Sequence, residues 1–275
     1  MKYPMLNNTV RFQKLPSVSG GYFAYDCLLS WNYILSRKYY DFVRHLDGRT
    51  DPYSIDPRLS REEVDEMLQE LDDQQLLRYE RTLFREFCTR YITLHTIGTP
   101  GRAVRGLAAV FNLLLLVLWF PALLLSLPQL GRTFLSLMEW PYFRLLAAAI
   151  PGTLLATLLH ECGHIFAAFA YGAPVFEIGL LCRPLFPGMY VITDPESLSS
   201  PLRKAQIDAA GLETDCVFAA VCFLLSRLTR ADGFWGISGF CAAISVFVNA
   251  LPIPGLDGRG ILANLIEAVT TRAEA

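Results

Sequence analysis

From Leu145 to Pro174 the chain carries no aspartate, lysine or arginine. The only glutamate and both histidines of that run fall together as His160-Glu161-Cys162-Gly163-His164. Thirty residues of this kind are enough for a membrane span, which needs about 20. On a helix, His160 and His164 lie four residues apart on one face, so both imidazoles can reach a single metal ion. Glu161 then points beside that metal, where a carboxylate can take a proton from water. Ionisable groups in the middle of a span are costly unless a site uses them. Cys162 lies between the histidines but off their face, and is not counted as a ligand.

The remaining sequence supports a membrane protein. Of 275 residues, 53% are hydrophobic and 18% charged, and the mean hydropathy is +0.33. The apolar residues are concentrated after the first hundred positions. Four segments are long enough to span: about Val104 to Leu127, Phe143 to Gly172, Lys204 to Leu228 (less clean, with Glu213 and Asp215), and Phe234 to Leu256. Met1 to Val18 lacks the apolar core of a cleavable signal peptide. Arginine and lysine favour one set of loops: Arg102, Arg105, Arg183, Arg203, Lys204, Arg259 and Arg272, against Arg132, Arg144, Arg227 and Arg230. That bias places both termini in the cytoplasm of a multi-pass protein of the cell membrane. The formal charge of −2 says nothing about nucleic acid, and no basic block suggests it, so no nucleic-acid partner is expected. Seven cysteines without a C-x-x-C pair argue against a disulfide framework.

In this topology the second and fourth spans run toward the same side. His160 lies about 16 Å from the end of its span, at 1.5 Å per residue, so a third ligand is expected near the corresponding end of another. The fourth span ends Asn249-Ala250-Leu251-Pro252-Ile253-Pro254-Gly255-Leu256-Asp257-Gly258. Asp257 follows more than twenty uncharged residues at the required depth; taken alone, Asp257-Gly258 also reads as a simple turn. Pro252 and Pro254 break the helix, and broken backbone at membrane depth is tolerated where it lines a cavity or is buried in protein.

These two motifs together resemble the site-2 protease family of intramembrane zinc metalloproteases, which pairs H-E-x-x-H on one span with N-x-x-P-x-P-x-x-D-G on a later one. The resemblance covers about Val104 to Leu265. It implies zinc held by His160, His164 and Asp257, Glu161 as general base, and Asn249, with Pro252 and Pro254, close to the substrate. It also implies a membrane-associated β-hairpin, matched by Val175 to Ile178 and Met189 to Thr193 around Pro184 and Pro187. The family's G-P-x-x-N reads here Gly211-Leu212-Glu213-Thr214-Asp215. Asp215 stands at about the depth of His160. Two readings of Asp215 and Glu213 stay open: one of them sits beside the metal, or both are hydrated near the interface and inert.

Residues 1–85 are expected to form a separate domain, 86–103 a connector, 104–265 the membrane domain and 266–275 a tail. A helical stripe is expected in Leu28, Leu29, Trp31, Ile34, Leu35, Phe42, Val43 and Leu46, stopped at Asp47-Gly48. Ser60 and Glu63 form a capping box for a second helix carrying Val64, Met67, Leu68 and Leu71. Arg78-Tyr79-Glu80-Arg81 then reads as a strand or wing. This order resembles the winged-helix leader-recognition domains of ribosomal peptide modification systems, which implies binding of an extended leader peptide at a sheet edge.

The expected fold is thus mainly α: a polytopic helical membrane protein of about four spans with a small winged-helix-like domain at its N-terminus. The expected function is zinc-dependent hydrolysis of a peptide bond in a membrane protein or precursor peptide. The other reading is an inactive membrane-bound peptide-binding or export component that keeps its metal site.

Overall fold

The computed structural model describes residues 3–6, 10–14, 21–26, 31–73, 76–79, 90–95, 98–182, 188–193, 197–229, 233–253 and 256–273. Contacts divide the chain into two compact units, residues 1–92 with 181–187 and residues 93–180 with 188–275.

The first unit begins with strands β1 (Met5–Leu6), β2 (Val10–Lys14), β3 (Tyr22–Asp26) and β4 (Trp31–Leu35). Helix α1 (Arg37–Val43), a 3-10 turn (Pro52–Ser54), helix α2 (Arg61–Asp73) and strand β5 (Leu77–Arg78) follow. Strands β2, β3 and β4 form an antiparallel meander with Val10 opposite Asp26 and Tyr22 opposite Leu35, while β1 pairs antiparallel with β5. Val64, Met67 and Leu71, at helical spacing on α2, join Val10, Ala24, Leu35, Phe42 and Val43 in one core. The capping box forms: Glu63 N–H donates to Ser60 Oγ at 3.2 Å, and Ser60 N–H donates to Glu63 Oε2 at 2.9 Å. Lys38 Nζ reaches Glu63 Oε1 at 2.7 Å and ties α1 to α2. Asp47 accepts from the N–H groups of Arg49 and Thr50, and Gly48 adopts a positive φ of 76°.

The expected helical stripe is corrected over Trp31–Leu35, which is strand β4. Ser36 caps α1 through the Tyr39 N–H, so the helix begins only after it. Aromatic and branched residues suit a strand, and a short apolar run has no period long enough to separate strand from helix. Leu28, Leu29, Glu80 and Arg81 lie outside the described residues.

The second unit is built on long helices: α3 (Arg102–Leu137), α4 (Tyr142–Tyr171), α5 (Pro201–Thr229), α6 (Phe234–Asn249) and α7 (Asp257–Ala273). The chain is a mainly α membrane protein. Among the described residues, α3, α4 and α5 are long and apolar enough to cross a membrane. Leu107, Val117 and Leu125 on α3, Leu146 and Ile150 on α4 and Leu224 on α5 point outward, as suits hydrocarbon but not water. The 36 residues of α3 extend for about 54 Å, more than the ~30 Å of a bilayer core.

Three segments expected in this region take definite bounds. The fourth apolar segment does not continue as helix to Leu256; α6 ends at Asn249 after 16 residues, about 24 Å. Ala250 to Ile253 turn instead, because Pro252 lacks the N–H that a further helical turn needs. The expected tail from residue 266 is the second half of α7, where Ile266 and Val269 keep a helical apolar spacing. Part of the expected connector is strand β6 (Arg90–His95), in a sheet ordered β6-β7-β8 with β7 (Val175–Cys182) and β8 (Gly188–Thr193). The two segments expected as a hairpin are thus neighbouring strands; Pro184 and Pro187 lie outside the described residues.

Small residues set the helix packing around α4. A Cβ on Gly163 would collide with Thr214 Oγ1 and the Ala210 carbonyl of α5, and one on Gly152 would stand 2.6 Å from Ser238 Oγ of α6. Backbones therefore approach closely, as is usual where helices pack within lipid. Gly172 closes α4 in the left-handed conformation, φ 80°, with Ala173 N–H donating to Ala168 O at 2.9 Å.

Candidate metal centre

His160 and His164 lie one turn apart on the face of α4 that packs against α5, in the middle of an apolar helix. Their ring atoms Nε2 are 3.1 Å apart. The start of α7 brings Asp257 to them: Oδ2 lies 3.0 Å from His160 Nε2, and Oδ1 lies 3.7 Å from His164 Nε2. Among the described residues these three are the one group of metal-ligating side chains that converges, its ligand atoms within 4.8 Å of one another. Two ligand atoms bound at 2.0–2.1 Å to a tetrahedral ion stand about 3.3 Å apart. The three separations, taken to Asp257 Oδ2 for His160 and to Oδ1 for His164, bracket that value.

The far side of each ring explains why Nε2 faces inward. His164 Nδ1 donates to the Ile207 carbonyl at 2.7 Å, since a carbonyl only accepts. His160 Nδ1 donates to Asp215 Oδ2 at 2.9 Å. With both Nδ1 protons so placed, each neutral ring presents its Nε2 lone pair to the same point. With His160 Nε2 unprotonated, Asp257 Oδ2 at 3.0 Å is buried there without a hydrogen-bond donor. Two nitrogen lone pairs and a buried carboxylate oxygen repel one another unless a cation lies between them. The donor set of two imidazoles and one carboxylate suits zinc and leaves a fourth position open.

Space for this arrangement comes from Gly211 of α5. A Cβ there would stand 2.5 Å from the Nε2 atoms of both histidines and 2.6 Å from His160 Cε1. Gly258 lets α7 begin close to the end of α6, because a Cβ would strike the Ala250 carbonyl.

The other residues expected at the site separate into groups. Asp215 is fully buried and stands behind His160 rather than among the three converging groups. That burial departs from the reading of Asp215 as hydrated near the interface. Glu213 is also buried, but both its oxygens accept from Gln206 Nε2 at 3.0 Å, on its own helix and off the site. Glu161 follows His160 on α4, half-buried, within electrostatic range of His160, Asp257 and Asp215. Asn249 Nδ2 donates to Ser245 Oγ at 3.1 Å, one turn back on α6. Pro252 is exposed, and Pro254 lies outside the described residues.

Three features escaped the sequence reading: the Ile207 carbonyl, Asp208 and Asn264. Asn264 Nδ2 donates to Asp208 Oδ2 at 2.8 Å. One signal was present: Asp208, Gly211 and Asp215 stand at i, i+3 and i+7, a single helical stripe of polar and small residues on α5.

A curated protein of Mycolicibacterium smegmatis named "Putative zinc metalloprotease Rip2" is similar to this chain. The two are 30% identical over 167 residues, covering 49% of this chain and 63% of that protein. The chain thus spans less than two thirds of that relative's length. No family model matches the chain, and no solved structure matches it.

Proposed function

We propose that the chain is an intramembrane zinc metalloprotease of the site-2 protease kind. The observation that carries this reading is the convergence of His160 Nε2, His164 Nε2 and Asp257, with both Nδ1 atoms already engaged. Similarity to a protein named as a zinc metalloprotease supports it at the level of reaction class. Three protein ligands rather than four favour a catalytic over a purely structural site.

His160, His164 and Asp257 hold the ion in this reading, and Asp215 orients His160. When bound, zinc supplies Lewis acidity, the chemistry that makes water a nucleophile near neutral pH. Glu161 takes the proton from the attacking water and passes it to the departing amine. The apolar wall of α4 keeps bulk water away, so charges at the site act through a low dielectric. A helical substrate must first unwind, since a helix hides its carbonyls. Asn249, the last residue of α6, and the turn containing Pro252 directly after it are the proposed contacts for that extended segment.

Both termini lie in the cytoplasm in this reading, on the arginine and lysine bias. The N-terminal unit engages a precursor peptide, which makes maturation of a ribosomally made modified peptide the proposed setting. Strands β2 and β4 support that proposal, because each has an outer edge without a partner strand among the described residues. An extended peptide can add to such an edge.

Replacing Glu161 by glutamine tests the function: cleavage is lost while zinc is kept. An inactive binding or export component would be indifferent to the change.

A further inference from the structure

Helix α7 carries Asp257, yet the segment joining it to α6 is short and broken at Pro252, so a separate contact must fix the helix against the histidines. On α7, Asp257, Gly260 and Asn264 occupy i, i+3 and i+7 and share one face. That face meets α5 at Asp208. Asn264 Nδ2 donates to Asp208 Oδ2 at 2.8 Å. Gly260 makes room for the same carboxylate, because a Cβ there would stand 2.5 Å from Oδ2 and 3.0 Å from Cγ. Asp208 adjoins Ile207, whose carbonyl holds His164 Nδ1, and lies within electrostatic range of His164 and Asp257. One short stretch of α5 therefore touches both halves of the donor set, a histidine through Ile207 and the carboxylate's helix through Asp208.

We propose that Asp208 is a positioning residue: paired with Asn264 across Gly260, it holds the first turns of α7 so that Asp257 stays in reach of the two Nε2 atoms. The proposal rests on the metal reading of the site. An ordinary buried contact would also join two helices, but the α7 face that bears the ligand bears the glycine and the asparagine as well. A carboxylate in a span is costly unless it is used, and Asp208 is not among the converging ligand atoms. Its hydrogen bond reaches the ligand's helix, seven residues beyond Asp257. A shift of α7 by half an ångström exceeds the ±0.2 Å that ligand distances tolerate.

The test uses the full chain in detergent or lipid. Zinc affinity is measured by competition with a chromophoric chelator, and ligand geometry by the visible spectrum of the cobalt-substituted protein. Asn264→Leu removes the donor at similar size and is expected to weaken zinc ten- to a hundredfold, the usual effect of losing an outer-sphere partner. It should also shift the cobalt bands. Exchanging the pair, Asp208→Asn with Asn264→Asp, restores an amide–carboxylate hydrogen bond and is expected to recover most of the affinity and the wild-type spectrum. Should Asn264→Leu fail to accumulate, Gly260→Ala perturbs the same carboxylate while leaving the hydrogen-bond partners in place, and must weaken zinc too. Wild-type affinity and spectrum in Asn264→Leu, or in Gly260→Ala where that variant replaces it, overturn the positioning role alone. An exchanged pair no better than Asn264→Leu does the same. A wild-type chain that binds no zinc overturns the metal reading and this one with it.

Discussion

Gly211→Ala adds one methyl group at the point where the site has no space. The new Cβ would stand 2.5 Å from His160 Nε2 and from His164 Nε2. Unstrained contacts of this kind lie at about 3.5 Å or more, so something must yield by about 1 Å. The histidines cannot swing away freely, because Asp215 and the Ile207 carbonyl hold their Nδ1 atoms at 2.9 and 2.7 Å. Ligand distances tolerate only about 0.2 Å. Overpacking in a well-packed interior costs about 1–3 kcal/mol, and tenfold in affinity corresponds to about 1.4 kcal/mol. Zinc should therefore bind roughly 5- to 150-fold more weakly, with helix content unchanged. Chelator competition on the purified protein measures the first quantity and far-ultraviolet circular dichroism the second. Gly106→Ala on α3 is the control: its Cβ meets nothing within 4 Å, and zinc affinity should not change. Wild-type zinc affinity in Gly211→Ala would refute the geometry of the site.

Two further outcomes follow from the contacts. Asp215→Asn keeps an oxygen that can accept from His160 Nδ1, whereas Asp215→Leu keeps none. Zinc affinity should fall about 10- to 100-fold in the leucine variant and much less in the asparagine variant; equal affinities in the two would show that the contact at 2.9 Å does not orient the histidine. In the N-terminal unit, the Lys38 ammonium first, then the Ser60 N–H and hydroxyl, hold the Glu63 carboxyl down at about 2, below the ~4.3 of an unfolded chain. Its folded-state value is depressed, so the stability it contributes is present above about pH 4.3 and is lost as pH falls toward 2. Hydrogen exchange at the first turn of α2 should lose protection over that range in wild type and show a flat profile in Glu63→Gln; the same profile in both proteins would contradict the capping-box account.

The features legible in the sequence are those written locally. His160 and His164 need only helical spacing to share a face, and their apolar surroundings make the pair conspicuous. Asp257 was legible because a lone carboxylate ended a long uncharged run. The capping box of Ser60 and Glu63 spans four residues and needed no tertiary information. The features that were missed depend on packing between distant segments. Asp208 and Asn264 are 56 residues apart, and nothing in either neighbourhood marks a pair until α5 and α7 lie side by side. Likewise, Asp215 could be placed at the depth of His160 but not at its Nδ1 atom, since depth along a helix leaves rotation about its axis undetermined. Trp31–Leu35 is a strand rather than a helix because five residues, four of them apolar, carry no decisive period, and pairing with Tyr22–Asp26 decides the matter. Helix α6 is shorter than the apolar segment that contains it, because hydropathy continues past Asn249 whereas the backbone turns before Pro252.

In the proposed activity this chain cuts peptide bonds with Glu161 as its base. The most direct measurement compares membranes containing wild-type chain with membranes containing Glu161→Gln, scoring new protein and peptide termini by mass spectrometry and zinc by metal analysis of the purified proteins. The amide is nearly the size of the acid and is not among the converging ligand atoms, so zinc should be equal in both. Loss of a general base commonly costs about 10²–10⁴-fold in rate, so termini within or beside membrane segments should appear with wild type and be absent with the variant. The same set of termini from both proteins, each with its zinc bound, would contradict the account.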